Sequence, residues 1–404
     1  MSEFNKLWVG QTVSLVGTVL TGFALPTLAI LTLHASASQV GVLVAVETLP
    51  FPILGMIVGV LADRFSRRKI MIVSDIVRFV ALATIPIAAV FGALHMPQLY
   101  AVSLVTGCAS AFFGISYQAY LPVVVSVDRL TDANMKLEFS NSGSDMLGKA
   151  LAGALVQWLG AAAAIGIDAL SYVISVLSLA WIRVSEPPHD GPALSLRQGF
   201  RELREGFDVV FRSPDLRWIL GATATVNFGG SMMTAVMFIY AYRILHLQPG
   251  LLGLVFAFAN SGFVGALFAE RVRKRLGLRV TLIAALLVAA LADAGWLLAQ
   301  LALPYVTLLI VCSIQALTIP IYNVNQISYR QALVDVRLQG RMNATMRTFV
   351  WGTMPLGALV GGYAGAFIGV QATIVIGAVL SALAALWLLP LRERNVSAPA
   401  TEVA

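Results

Sequence analysis

The chain has 404 residues, 58% of them hydrophobic and 12% charged, with a mean hydropathy of +0.84 and a formal net charge of +7. Soluble domains hold roughly 45–50% apolar residues, so this composition excludes an ordinary soluble protein, and the positive charge has to be read first as topology. Nucleic-acid binding would need the basic residues on a soluble face.

A bilayer crossing takes about 20 mostly apolar residues at 1.5 Å each. Twelve such stretches occur, at 6–32, 39–62, 71–92, 99–124, 137–160, 162–182, 216–241, 250–269, 279–300, 303–328, 341–366 and 369–390, with the fifth and sixth split only near Gly160. With the N-terminus inside, all of the 27 Lys and Arg residues except Arg78, Lys149 and Arg243 fall on the cytoplasmic side, as the retention of basic loops there requires. The expected fold is therefore an all-α integral membrane protein of twelve transmembrane helices in two pseudo-symmetric six-helix bundles. Its expected divisions are 1–184, a cytoplasmic linker at 185–215, 216–391 and a cytoplasmic tail at 392–404.

The start MSEFNKLW resembles a signal peptide only faintly, because the apolar run that follows is longer than an h-region of about 7–15 residues. A retained first helix is expected. In the second span Glu47 lies roughly 12 Å deep, just before Pro50 and Pro52. A charge at mid-bilayer costs roughly 2.5–3.5 kcal/mol, so Glu47 is either a protonatable coupling carboxylate or a carboxyl hydrogen-bonded to a neighbouring helix.

Between the second and third spans comes GVLADRFSRRK, residues 59–69. Gly59 permits close approach of another helix, and Asp63 at a helix C-terminus is unfavourable unless positive charge meets it. Arg64, Arg67, Arg68 and Lys69 serve topology at the least. In the third span Asp75 and Arg78 share a face at i,i+3 and read as a structural pair.

The fifth span carries Asp145 and Lys149 at i,i+4, able to neutralise each other; packing of the ion pair and a role toward an anionic substrate or the proton are both open. The surrounding GSDMLGKA has the glycine and lysine spacing of a phosphate-binding loop, but Ala150 replaces the Ser or Thr that reaches Mg²⁺, so direct ATP use is not expected. Asp168 and Asp293 fall in the outer thirds of their spans, where water reaches, and structural roles are expected for both. Arg243 is expected to snorkel outward.

Between the sixth and seventh spans, Pro187, Pro188 and Pro192 break the chain, and Ser195 with Gln198 form a capping box. Leu196, Phe200, Leu203, Phe207 and Phe211 then recur at helical spacing opposite the i,i+4 pairs Arg201/Glu205 and Arg204/Asp208. An amphipathic helix on the cytoplasmic surface follows, as a linker or as a regulatory or lipid-binding element.

The sequence also repeats. LHASASQVG at 33–41 matches LHLQPGLLG at 245–253, pairing His34 with His246. Asn134, Leu147, Gly148 and Gly153 pair with Asn343, Leu356, Gly357 and Gly362, and GVLADR has an echo in GALFAER at 265–271. Offsets that drift only between 207 and 212 imply two six-helix halves in the same orientation, as in one class of secondary transporter. Cys108 and Cys312 lie within apolar runs, and His34, His95, His189 and His246 are scattered. Neither a disulfide framework nor metal-ligand spacing results, and no cofactor or metal is expected.

Gly59-x-Leu61-Ala62-Asp63-Arg64-x-Ser66-Arg67-Arg68-Lys69, between the second and third of twelve spans, resembles the loop signature of the Major Facilitator Superfamily, with Ser66 where the family usually has glycine. LWVGQTVSLVGTVLTGFALP at 7–26, IDALSYVISVLSL at 167–179 and GRMNATMRTFVWGTMPLGALVGG at 340–362 resemble its macrolide-efflux and enterobactin-exporter branch. The resemblance implies alternating access and export by proton antiport. It implies a gate in which Asp63 meets the start of the eleventh helix, around Arg341 and Arg347. It also implies a cavity lined by the first, fourth, seventh and tenth helices, to which Gln11, Phe113, Tyr117, Asn227, Asn323, Asn325 and Gln326 belong. Where the branch has Gly-Pro-x-x-Gly-Gly, this chain has Gly148-Lys149-Ala150-Leu151-Ala152-Gly153, which raises the interest of Lys149.

Amides among aromatic rings fit a bulky amphipathic solute. The expected function is a proton-driven secondary exporter of drug-like or siderophore-like compounds, a monomer in the bacterial inner membrane. The partners expected are a small-molecule substrate, protons and the lipid bilayer. The alternatives are a facilitator or flippase for lipids or anionic metabolites, and a membrane sensor or scaffold without transport. No Ser/His/Asp, metal or paired catalytic set shares one depth, so an enzyme is not expected.

Overall fold

A computed structural model describes residues 3–54, 65–126, 129–184, 186, 196–259 and 262–391. The first half contributes α1 (Glu3–Leu31), α2 (Ala37–Thr48), α3 (Arg67–Val90), α4 (Met96–Val124), α5 (Leu130–Leu159) and α6 (Ala161–Ala180). After α7 (Leu196–Arg212) come α8 (Pro214–Ile239), α9 (Pro249–Phe258), α10 (Gly262–Leu276), α11 (Leu278–Gly295), α12 (Pro304–Leu333), α13 (Val336–Phe367) and α14 (Val370–Leu383). Among the described residues nine helices are long and apolar enough to cross a membrane. The remaining expected spans are helical as well: α5 and α13 carry more polar side chains, and the eighth span appears as α9 and α10. The break near Gly160 falls where expected, between α5 and α6.

The repeat is visible in the backbone. His34 and His246 both take left-handed conformations, with φ of 53° and 51°. Each stands at a helix end closed by the same wide hydrogen bonds, Leu33 N–H to Leu28 O (3.2 Å) and Ala35 N–H to Ala29 O (2.8 Å), against Leu245 N–H to Tyr240 O (3.0 Å) and Leu247 N–H to Ala241 O (2.9 Å). Gly160 and Gly369, at φ 84° and 95°, start α6 and α14, while Gly92 (φ 64°) finds its equivalent in Leu303 (φ 41°). All three pairs keep the sequence offsets, so the duplication is one of three-dimensional units.

The halves meet through small residues. α2 packs against α13 with Gly41 so close to Gly362 that a Cβ on it would stand 2.5 Å from the Gly362 Cα. α5 meets α9 in the same way, a Cβ on Gly153 falling 2.8 Å from the Gly253 Cα. Such contact lets backbones approach where lipid gives no hydrophobic drive for association. Around these contacts Phe23 meets Phe238 edge-on at 5.4 Å, Thr27 and Tyr242 share a hydrogen bond of 3.0 Å, and Gly250 N–H donates to Gln157 Oε1 at 2.8 Å. Arg243 does not snorkel away as expected. Its Nη2 donates to the carbonyl of Ala35 in the α1–α2 turn (2.8 Å) and to that of Ile30 in the last turn of α1 (3.5 Å), where unpaired carbonyls and the helix dipole attract a cation. These contacts lie at the end opposite the basic loops, where they clamp the two halves.

Leu303 keeps a left-handed backbone at an exposed position, where its first-half equivalent is glycine, and a Cβ on Gly92 would meet nothing within 4 Å. Leu303→Gly should therefore stabilise the protein by about 1 kcal/mol and Gly92→Ala should destabilise it by about the same amount. Thermal unfolding of the detergent-purified variants tests both signs; equal shifts in one direction would contradict the backbone assignment.

Candidate functional site

Gly59, Asp63 and Arg64 lie outside the described residues. The rest of the charged turn is bound within the first half. Ser66 caps α3, its Oγ accepting from Lys69 N–H at 3.3 Å, and the Arg68 guanidinium donates to the carbonyls of Leu179 (2.8 Å) and Ala180 (2.6 Å) at the end of α6. Arg67 Nη1 donates to Ala119 O at 3.2 Å. Glu186, which the sequence reading did not single out, organises this corner. Its Oε1 accepts from Ser66 Oγ (2.6 Å) and Arg68 N–H (3.0 Å), and its Oε2 from Arg67 N–H (2.9 Å). A carboxylate is thus set on the free N–H groups of a helix N-terminus. Burial pushes the Glu186 carboxyl up, but the Ser66 hydroxyl and the Arg68 and Arg67 N–H groups outweigh it and hold the group below the ordinary glutamate value. The available sequence signal was an acid four residues past the end of the sixth span.

Arg341 and Arg347, expected at the gate, are held by the linker helix α7 and by the second half. Arg341 is ion-paired with Glu205 of α7, and the Arg347 guanidinium lies 4.4 Å over the Trp351 ring. α7 docks on α13 through aromatic contact, Phe207 and Phe211, stacked on each other at 4.0 Å, meeting Phe349 at 6.1 Å and 5.7 Å. Asp208 reaches Arg212 at 3.9 Å and Arg201 reaches Glu205 at 3.7 Å; Ser195 lies outside the described residues.

Within the first half Asp75 and Arg78 form the expected pair and are buried. The Arg78 guanidinium also lies 4.5 Å from the Phe113 ring centre and 4.4 Å from that of Tyr172, so Phe113 is a buried ring beneath a cation, with Tyr117 stacked on it at 6.0 Å. Asp168, expected near water, is fully buried and accepts from Thr21 Oγ1 and Ser171 Oγ. The absence of a side chain on Gly17 leaves the room its carboxylate occupies.

Lys149 Nζ meets Asp145 Oδ2 at 2.7 Å, with about a third of each side chain exposed (31% and 37%). Asp145 lines a cavity of about 260 Å³ with Leu15, Val19, Asn141, Ser142 and Ser144. Glu47 is half-buried on α2, beside α4, where Gly107 packs against its carbonyl. It belongs to none of the ion pairs among the described residues. In the second half Asn227 and Asn323 come together on the wall of a cavity of about 330 Å³. Asn325 instead bonds α12 to α10, donating to Ala269 O at 3.1 Å and to Ile321 O of its own helix at 2.8 Å. Gln326 is buried, and Gln11 Oε1, Tyr117 Oη and Gln326 Oε1 have no hydrogen-bond partner among the described residues. Among the described residues no group of His, Cys, Asp and Glu could hold a metal ion.

Glu186→Ala should leave three donors unmet and lower the unfolding temperature of the purified protein. Because the folded-state pKa lies below the ordinary value of 4.5, the contribution of Glu186 is present above pH 4.5 and is lost as pH falls through that lower pKa. The difference between wild type and variant should therefore shrink below pH 4.5. A difference that grows on acidification would contradict the capping role.

The sequence pattern of the Major Facilitator Superfamily matches residues 7–353. The chain is 24% identical to macrolide efflux protein A of Streptococcus pyogenes over 363 residues, covering 89% of this chain and 88% of that one. It is 27% identical to the multidrug efflux pump Tap of Mycobacterium tuberculosis over 386 residues, covering 90% and 88%. Among solved structures, a bacterial homologue of the iron transporter ferroportin aligns with a TM-score of 0.77 at 16% identity, covering 96% and 97% of the two chains. The nucleoside transporter NupG aligns with 0.75 at 13%, covering 96% and 98%. Both likenesses show the fold alone. The duplicated helical halves, the charged turn and these matches have one conclusion: the chain is a membrane transporter and belongs to the Major Facilitator Superfamily.

Proposed function

We propose that this transporter is a proton-coupled exporter of amphipathic, drug-like or siderophore-like small molecules that works by alternating access. The observation that carries this is the match to two efflux proteins over about nine tenths of the chain (89% and 90%). The membrane interior adds support, since Glu47 takes part in no ion pair among the described residues and can exchange a proton without stranding a partner. In this reading the clamp opposite the basic loops is one end state. In the other, Arg341 leaves Glu205 and meets Asp63, with Arg347 beside it, so the charged turn and α13 lock the basic end. Gly59 allows that approach, and Arg64, Arg67 and Arg68 hold the turn. Asn227 and Asn323 contact the substrate from the second half, and Gln11, Phe113, Tyr117, Asn325 and Gln326 complete or support the wall. The protein works as a monomer in the inner membrane, with both ends and the 185–215 linker in the cytoplasm.

A second reading keeps its place because Lys149 is partly exposed and paired with Asp145, which lines a cavity: an anionic metabolite or lipid headgroup would pair with it, in a facilitator or flippase. A sensor or scaffold without transport has no such observation in its favour.

Collapsing the pH gradient should abolish export, whereas ATP depletion at a maintained gradient should not. Glu47→Gln should keep substrate binding and lose uphill accumulation in everted vesicles; normal uphill transport by this variant removes Glu47 from the coupling role. The double change Asp145→Asn with Lys149→Met removes both charges together, so neither is stranded. A well-folded, inactive double variant assigns the pair to transport, and normal abundance with normal efflux assigns it to packing.

A further inference from the structure

Asp293 has no part in the reading above. It lies on α11 and lines the second-half cavity of about 330 Å³, which α8, α11 and α12 enclose with Met354 and Ser381. Gln315 of α12 donates from Nε2 to Asp293 Oδ1. No Lys or Arg among the described residues forms an ion pair with it. A carboxylate in the membrane interior therefore has, among the described residues, only neutral groups beside it, the Gln315 amide and the Ser381 hydroxyl, and faces open space, although such a group normally demands a compensating charge.

The same wall offers a second unmet group. Trp296 is 2% exposed and lines the cavity, yet its indole Nε1–H has no acceptor among the described residues, whereas buried indole N–H groups usually find one. Around these two polar points the wall is apolar and polarisable, with Met233, Met237 and Tyr322. Such side chains adapt to varied shapes and attract organic cations. A metal ion does not fit, because among the described residues no second carboxylate, His or Cys lines the cavity with Asp293. The volume is at the small end of the roughly 300–1,000 Å³ of drug pockets, enough for a charged head with an adjoining ring.

We propose that this cavity is the subsite for the cationic head of an amphipathic substrate. Asp293 is the counter-ion, and Trp296 donates a hydrogen bond to an acceptor near the cationic centre. The substrate class is then organic cations carrying a carbonyl, ether or hydroxyl oxygen close to the charge. This rests on the exporter reading and narrows it.

The test uses two dyes, the cation rhodamine 6G, which carries an ester, and the uncharged Nile red, with the full chain in detergent and in everted vesicles. Asp293→Asn keeps the shape of the side chain and should weaken rhodamine 6G binding on the order of ten-fold or more, while Nile red binding changes less than about two-fold. Trp296→Phe should weaken rhodamine 6G by roughly a few-fold, the effect of one lost hydrogen bond. Unchanged rhodamine 6G affinity in folded Asp293→Asn overturns the proposal. So does loss of gradient-driven export of both dyes with rhodamine 6G binding intact, which would assign Asp293 to proton handling.

Should the variant fail to fold, carbodiimide labelling of Asp293 in the wild-type protein, read by peptide mass spectrometry, decides the matter. Saturating rhodamine 6G should suppress labelling at Asp293 and Nile red should not; equal labelling with and without rhodamine 6G overturns the proposal. Binding of rhodamine 6G without export of either dye leaves the subsite standing and counts against the exporter reading. Export of Nile red with no binding of rhodamine 6G counts against the subsite alone.

Discussion

The two halves touch where side chains have been removed. At Gly41 with Gly362 and at Gly153 with Gly253 the backbones approach so closely that a single methyl group would collide with a facing Cα. Helices in lipid gain little from hiding apolar surface from one another, so close van der Waals contact and a few hydrogen bonds must hold them. A seam of that kind is strong when complete and has little to hold it once parted, as an interface with two arrangements requires. The wide helix ends at His34 and His246, the Arg243 contacts with α1 and the Gln157 bond to α9 all gather around it. Each half also has buried packing of its own away from the seam, around Leu7, Met71 and Tyr120 in the first and around Ile219, Leu282 and Tyr322 in the second.

Charge is distributed along the same lines. Arg78 is shared between Asp75 and two aromatic rings, Asp168 is met by hydroxyls, and Arg68 and Glu186 complete the ends of α6 and α3. These groups stiffen the first half and stay inside it. Arg341 is kept on Glu205 of the linker helix and Arg347 on Trp351 of its own helix in this state. Charges that face space are fewer: the Asp145–Lys149 pair beside one cavity and Asp293 beside the other. A protein that moves solutes through a low-dielectric interior has reason to keep most of its ions occupied and to expose only those that meet cargo or protons.

Much of this was legible in the sequence because its signals are local. Hydropathy placed the spans, and spacing along one helix placed Asp75 with Arg78 and Asp145 with Lys149, since i,i+3 and i,i+4 neighbours share a face whatever the tertiary fold. The repeat was legible too, down to the paired His34 and His246. Contacts between distant parts of the chain were not. Nothing near Arg341 in sequence points to Glu205, and nothing near Ser66 points to Glu186. Arg243 was expected to seek the headgroups, and the carbonyls of Ile30 and Ala35, at and just after the end of α1, reach it first. Asp168 was assigned to water from its depth alone, whereas burial depends on which helices flank it. Phe113 carried the right chemistry for a cavity wall, but a buried guanidinium claims its face.

The central claim is that the seam opposite the basic loops and the basic end open in alternation. Spin labels on cysteines at exposed Thr32 and Gln371 report the seam end, and labels at exposed Lys136 and Arg337 report the basic end. Pulsed dipolar spectroscopy in lipid nanodiscs, across a pH series with and without a transported dye, measures both distances. Two populations should appear in each pair and exchange in opposite senses, the seam distance lengthening as the basic end closes. Distances that move together, or that keep one value under every condition that supports transport, would contradict the account.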